Sequence, residues 1–190
     1  KIKHAETNIT INYNSWPLDL MADYIEKKHH RYVEERTVQL KQYLEKICMV
    51  HGSGHSELFK IKELFLESAS DLAAHMKKEE LILFPFIRKL VATEKDPSLF
   101  SQPKFGSIKN PIEMMKHDHD TEGERFRQIA ELSNNYKAPS DGCNTYKVTF
   151  SLLKEFEDDL HLHIHLENNI LFPKSIELEK SIRSDSMNMS

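Results

Sequence analysis

Two stretches of the chain repeat one pattern, and this repeat constrains the fold more than any other feature of the sequence. Residues 75–85 read HMKKEELILFP and residues 163–173 read HIHLENNILFP, so both follow the order His-x3-Glu-x2-Ile-Leu-Phe-Pro. Residues four apart lie on the same face of an α-helix, so each copy presents an imidazole beside a carboxylate. The repeat therefore predicts two similar helices, each with a His–Glu pair on one face.

The helical faces that carry these pairs also carry apolar side chains, so the pairs are expected to point into the core. Helical steps from His163 reach Phe156 and Leu160, and steps from His75 reach Ile82. Burial of a carboxylate without a partner costs roughly several kcal/mol, so buried charges are usually paired or bound to metal. The repeat thus indicates a metal site. The alternative is an ordinary core histidine that is hydrogen-bonded to a neighbour.

Breaks in the apolar pattern divide the chain into four helical segments. Turns are expected at residues 51–55 (HGSGH) and 134–144, with a long connection over residues 93–111. Four long amphipathic helices joined in this way predict an all-α fold, an antiparallel four-helix bundle. The expected divisions of the chain are an N-terminal arm over residues 1–15, the bundle over 16–176 and a disordered tail over 177–190.

The two helices without the repeat are expected to supply histidines at the same level of the bundle. His29 and His75 lie equally far from Gly52 in the first turn. His119 and His163 likewise lie equally far from the middle of the second turn. Residues equally far from a turn lie level in an antiparallel helix pair. Neighbouring histidines that share helical lines with polar residues are expected to face water: His30, His117, His161 and His165.

The expected metal ligands are four imidazoles and two carboxylates: His29, His75, Glu79, His119, His163 and Glu167. Six ligands exceed the four of a tetrahedral zinc, although a mononuclear zinc site is the alternative. Nitrogen and carboxylate ligands without thiolate suit iron or manganese, and two Glu suit bridging between two metals. Two iron ions, each with two terminal His and bridged by both Glu and an oxo or hydroxo group, use every ligand.

Composition argues against several classes of partner. With 190 residues, of which 39% are hydrophobic, the chain is long enough for one well-packed domain. Its formal net charge of −4 gives no reason to expect nucleic acid or a membrane surface as partner. No apolar run reaches the roughly 20 residues that span a membrane. Cys48 and Cys143 stand in unrelated contexts, which favours a reducing cytoplasm over a disulfide framework.

These residues resemble the RIC (repair of iron centres) family, whose ScdA/YtfE-type members are di-iron proteins with a hemerythrin-like bundle. The resemblance covers roughly residues 16–174, and it depends on the segments PLDLMADYIEKKHHRYV, HMKKEELILFP, HDHDTEGE and HLHIHLENNILFP. The ligand motifs of the family fall on the same six residues. Its acidic residues beside the iron correspond to Asp71 and Asp118, which implies a polar passage to the metals. The alternative for these two residues is a solvated helix surface.

The resemblance implies repair of iron–sulfur clusters that nitric oxide or oxidative stress has damaged, with donation of iron as one means. The expected partners are damaged iron–sulfur proteins, with nitric oxide or O₂ as ligands of the metals. The chain is then a stress-response repair or iron-donor protein rather than a turnover enzyme. We expect it to act in the cytoplasm as a monomer or a weak dimer.

Three other functions are compatible with a metal site in such a bundle. A hemerythrin-like protein that binds or senses O₂ or nitric oxide usually has a second His in the third helix, where this chain has Gly123, and a final Asp, where it has Glu167. A di-iron oxidase or peroxidase of the ferritin type carries Glu-x-x-His pairs, the reverse of the order found here. The third alternative is a purely structural metal that ties the helices together.

Overall fold

The computed structural model describes residues 11–188 of the chain, with side chains as far as Asp185. In chain order the elements are a 3₁₀ turn Tyr13–Ser15, α1 Leu18–Tyr24, a π turn π1 Ile25–His30, α2 Arg31–His51, α3 Glu57–Lys78, π2 Glu79–Leu83, α4 Phe84–Lys95, a 3₁₀ turn Pro97–Leu99, α5 Lys109–Leu132, α6 Asn144–Leu166, π3 Glu167–Leu171 and α7 Phe172–Asn188. Each π turn continues directly into the helices on both sides. The described residues therefore form four long helices, and the predicted all-α four-helix bundle is confirmed.

The connections between the long helices agree with the breaks in the sequence pattern. The first helix ends at His51 and the second begins at Glu57, while the third ends at Leu132 and the fourth begins at Asn144. Helix α2 packs against α3 and α6, and α3 also packs against α5. At the other end of the bundle, α4 packs against α1 and α7. No helix of residues 11–188 is both long and apolar enough to cross a membrane.

The apolar core consists of two clusters, and a polar layer lies between them along the bundle. The cluster near the short turns is rich in aromatic side chains and includes Phe65, Phe126 and Phe156. The second cluster, towards the opposite end, includes Phe84 and Phe172 from the two copies of the repeat. Burial of one such side chain stabilises the fold by roughly 1.5–3 kcal/mol. The two clusters together cover the polar layer on both of its sides along the bundle axis.

The prolines of the repeat explain two of the three π turns. Pro85 and Pro173 lie two residues after π2 and π3 end, and each is the second residue of the helix that follows. A proline inside a helix has no N–H to donate, and its ring collides with the carbonyl of the residue four positions earlier. A wider turn ahead of the proline relieves that collision, and such turns are frequent at functional sites. The π2 turn also rotates Ile82 outwards, so the prediction that this side chain is buried is wrong: it is 49% exposed.

The C-terminal segment differs from the expected disordered tail. Residues 177–188 continue helix α7, so the prediction of disorder is wrong over that part. Ile182 is buried, and the buried carboxylate of Glu179 accepts hydrogen bonds from Ser107 Oγ at 2.7 Å and from the N–H of Ile108 at 3.2 Å. These contacts join α7 to the start of α5. Of the predicted N-terminal arm, residues 1–10 lie outside the described part of the chain.

Candidate metal centre

The polar layer contains two groups of four ligand atoms, and the two groups share their carboxylates. His75, Glu79, His119 and Glu167 form one group, and His30, Glu79, His163 and Glu167 form the other. Within each group, the nitrogen and oxygen atoms all lie within 4.8 Å of one another. Every one of these six residues is buried. The structure therefore brings together five of the six predicted residues, with His30 as the sixth member.

Each carboxylate directs one oxygen to each group. Glu79 Oε1 lies 3.3 Å from His75 Nε2, and its Oε2 lies 3.3 Å from His30 Nε2. Glu167 Oε1 lies 3.2 Å from His163 Nε2, and its Oε2 lies 3.2 Å from His119 Nε2, in the group that contains His75. Two carboxylates placed in this way span both groups.

Most of the donor atoms converge without forming hydrogen bonds with one another; the exception is a contact of 3.1 Å between Nε2 of His75 and Nε2 of His119. Both oxygens of Glu79 and Glu167, and Nε2 of His30 and His163, are buried and have no hydrogen-bond partner among the described residues. The nitrogen–oxygen contacts of 3.2–3.3 Å are short, but they lack the angles of a hydrogen bond. Ligands about 2.1 Å from one cation lie about 3 Å from each other. The arrangement therefore suits a bound cation better than a set of paired side chains.

Three of the four imidazoles in the groups have a hydrogen-bond partner at the other ring nitrogen. The partners of Nδ1 are Glu80 for His30 at 3.1 Å, Asp118 for His75 at 3.2 Å and Asn168 for His119 at 3.1 Å. An Nδ1–H that donates to such an oxygen leaves the lone pair of Nε2 free for a metal. These partners therefore fix the tautomer that a metal ligand requires.

Glu80 and Asn168 occupy the same place in the two copies of the repeat, directly after the shared carboxylate. Each supports a histidine of a helix that lacks the repeat, so one copy of the repeat provides a His, a Glu and an oriented neighbour. Sequence reasoning missed both residues, although their equivalent position in the repeat was a usable signal.

The prediction that His30 faces water is wrong, because its side chain is 0% exposed. The structure places His30 in the group with His163, while the predicted residue, His29, lies beside that group. His29 is itself buried, and its ring centroid lies 5.7 Å from that of His163. The cause is π1, in which residues five apart stack, so that His30 follows the buried Ile25. A count that assumes a regular α-helix selects the preceding residue instead.

Charges within the layer shift the pKa values of its members. Burial alone would lower the pKa of His75, but the carboxylates of Glu79 and Asp118 raise it to about 9. Burial would raise the pKa of Glu167, but the neighbouring imidazole of His163 holds it well below its usual range. Without a metal, imidazolium and carboxylate charges therefore balance each other, and a cation that binds there displaces protons.

A cavity of about 260 Å³ reaches the layer at His75, between α3 and α5. Asp71 and Asp118, the predicted acidic pair, both line it. Asp71 is exposed and accepts from Arg125 Nη2 at 2.6 Å, whereas Asp118 contacts His75 directly. The wall also contains Glu122, a buried carboxylate whose pKa is raised by burial and which accepts from the hydroxyl of Ser68. The layer thus has a polar approach from solvent on the side next to His75.

The sequence profile of the hemerythrin HHE cation binding domain matches residues 21–175. The chain belongs to the hemerythrin HHE family. Cation binding is the property that the family name states, and it agrees with the buried layer of His and Glu in this hemerythrin HHE domain.

Relatives of this hemerythrin HHE domain include proteins named for iron–sulfur cluster repair. The repair protein ScdA of Staphylococcus epidermidis is 30% identical, over 91% of this chain and 73% of the relative. The repair protein YtfE of Musicola paradisiaca is 32% identical, over 92% of this chain and 73% of the relative. YtfE of Escherichia coli O81 is also 32% identical with the same coverage, 92% and 73%. The resemblance to ScdA/YtfE-type proteins is therefore confirmed.

Proposed function

We propose that this chain is a di-iron protein that repairs iron–sulfur clusters damaged by nitric oxide or oxidative stress, and that it does so by supplying iron. Damaged iron–sulfur proteins are its partners in this proposal. The names of its ScdA and YtfE relatives support repair over hemerythrin-like binding or sensing of O₂. The cytoplasm as its location follows from the same proposal.

The observation that carries the di-iron assignment is the division of each carboxylate between the two groups. A single ion needs only one group of four donors, and it would leave two buried imidazoles without a role. Two ions use all four imidazoles and both oxygens of Glu79 and Glu167. The donors are nitrogen and carboxylate oxygen without thiolate, a set that suits iron. When bound, such a pair of irons supplies redox chemistry and open positions for small ligands such as nitric oxide.

The chain itself positions the ions and controls their surroundings. The two apolar clusters shield the layer from water on both sides along the bundle axis. The cavity at His75 provides the approach from solvent, and Asp118 lies where that cavity meets the imidazole. We therefore assign the cavity as the polar passage, in which carboxylates attract a cation that enters or leaves.

One position in the third long helix supports the proposed repair function over O₂ binding. Hemerythrin-like proteins that bind O₂ usually have a further histidine at this position. Gly123 occupies it, and no heavy atom of the described residues, apart from the adjacent backbone of its own helix, lies within 4 Å of where its Cβ would be. The third long helix therefore contributes one imidazole, His119, to the groups. The layer is symmetric, with two imidazoles for each proposed ion, rather than weighted towards one ion with a protected O₂ position.

Reactivation of a nitrosylated iron–sulfur enzyme by the iron-loaded chain tests the proposal. Activity should return with the wild-type chain and with His165→Ala, whose histidine is exposed two residues from the site. His163→Ala should give no more reactivation than the same amount of free ferrous iron. Equal reactivation by all three proteins would contradict a role of the metal layer in repair. A purified chain with one zinc and no iron would contradict the di-iron assignment.

A further inference from the structure

The adjacent histidines of π1, His29 and His30, have similar surroundings, although only His30 belongs to one of the two groups of ligand atoms. His29 is 1% exposed and His30 is 0% exposed. Two consecutive residues of a regular α-helix point about 100° apart. The wider turn Ile25–His30 places both imidazoles inside the bundle.

A carboxylate fixes each of the two imidazoles in the same manner. His29 Nδ1 lies 3.0 Å from both carboxylate oxygens of Asp159, and His30 Nδ1 lies 3.1 Å from Glu80 Oε1. A metal-binding histidine typically has such a partner at its second ring nitrogen. His29 therefore has the orienting contact of a ligand although it lies outside both groups.

The second ring nitrogen of His29, Nε2, has the surroundings expected of a nitrogen that binds a metal. His29 Nε2 is buried and has no hydrogen-bond partner among the described residues, and the same holds for His30 Nε2. A buried polar atom without a partner costs roughly 1–3 kcal/mol, so such an atom calls for a specific explanation. Asp159 is partly exposed and cannot itself satisfy Nε2 while it holds Nδ1.

Both imidazoles flank the ring of His163. The ring of His29 is stacked on it with centroids 5.7 Å apart, and the ring of His30 is tilted against it at 5.0 Å. The edge of Tyr24 closes the other side of His29, at 5.4 Å between centroids. His29 is thus confined next to the same metal position that His30 and His163 define.

We infer that His29 is an alternate ligand for the ion that His30 and His163 hold. A π turn is one extra residue in a helix, and displacement of that extra residue by one position exchanges which neighbour faces the ion. Replacement of His30 by His29 would loosen the contact of the ion to the first long helix without leaving it with three ligands. The inference rests on the proposed metal binding, and it gives ferrous iron as cargo a stepwise route of release.

Iron content of four anaerobically loaded proteins tests the inference: the wild type, His29→Ala, His30→Ala and the double variant. The wild type and His29→Ala should each hold about two irons per chain. His30→Ala should also hold about two, because His29 replaces the lost ligand, and the double variant should hold about one. Equal iron loss in His30→Ala and in the double variant would overturn the inference. A wild-type chain without two irons would instead overturn the proposed function.

A second measurement keeps the test decisive if His30→Ala does not fold, as judged by circular dichroism. His29→Ala leaves both groups of ligand atoms complete. It should nevertheless release its first iron to an excess of a ferrous chelator severalfold more slowly than the wild type, because the stepwise route of release through the alternate ligand is gone. His165→Ala is the matched control and should release iron at the wild-type rate. Equal release rates for His29→Ala and the wild type would overturn the inference.

Discussion

Replacement of Glu79 by Gln in the metal-free protein removes the charge that does most to keep His75 protonated. Glu79 is buried, and its Oε1 lies 3.3 Å from His75 Nε2. Gln has nearly the same shape but offers an amide dipole in place of a full charge. The pKa of His75, raised to about 9 in the wild type, is therefore expected to fall towards 6.5 in the variant.

The magnitude follows from the difference in the pKa of His75 between the folded and unfolded chains. A pKa of about 9 against 6.5 corresponds to about 3 kcal/mol of folding stability. Because the folded pKa is the higher one, this contribution is complete below pH 6.5 and disappears as the pH rises through about 9. Glu79→Gln should therefore be less stable than the wild type by up to about 3 kcal/mol at pH 6, with little difference at pH 9.5.

Urea denaturation after removal of metal by a chelator measures the effect at the two pH values. Glu63→Gln is the matched control, since Glu63 lies on the same helix, is exposed and pairs only with Lys60, at 3.0 Å, among the described residues. Its stability should follow that of the wild type at both pH values. A wild-type stability that is constant between pH 6.5 and 9.5 would refute the reasoning. So would a Glu79→Gln variant that keeps the full pH dependence.

Three further outcomes are expected. His163→Ala should lose at least one metal ion per chain by elemental analysis, while His165→Ala retains the wild-type content. Phe156→Ala should cost about 3–5 kcal/mol in urea denaturation, because this buried ring packs between two other Phe rings at centroid distances of 5.4 and 5.6 Å. Glu179→Ala should cost about 1–3 kcal/mol, because it leaves the buried N–H of Ile108 without its acceptor. A loss of under about 0.5 kcal/mol for either stability variant would contradict the contacts described.

The repeat made most of the site predictable. The interval of four residues between each repeated His and Glu already places both on one face, and the apolar residues around them make that face the inner one. His75, Glu79, His163 and Glu167 are accordingly buried and adjacent in the structure. His119 followed from its distance to the second turn, because no π turn lies between His119 and that turn.

The choice between His29 and His30 was beyond the sequence for a physical reason. Pro85 and Pro173 are a sequence signal for the π turns that precede them, but no proline follows π1 in the same way. An extra residue without a sequence signal shifts every count that crosses it by one position. The helical continuation of α7 over residues 177–188 was not predicted for another reason, since this segment is mostly polar and the contact that orders Glu179 comes from the distant start of α5.

The sharing of donors has a consequence for how the chain assembles. The first two long helices form one hairpin and the last two form another, and each proposed ion takes two donors from either hairpin. Neither hairpin alone offers either ion a complete set of four ligands. Bound in this way, the proposed ions would cross-link the two hairpins, and metal binding would stabilise the association of one hairpin with the other. Removal of the ions by a chelator should accordingly weaken the packing between the two hairpins before it unfolds the helices within them.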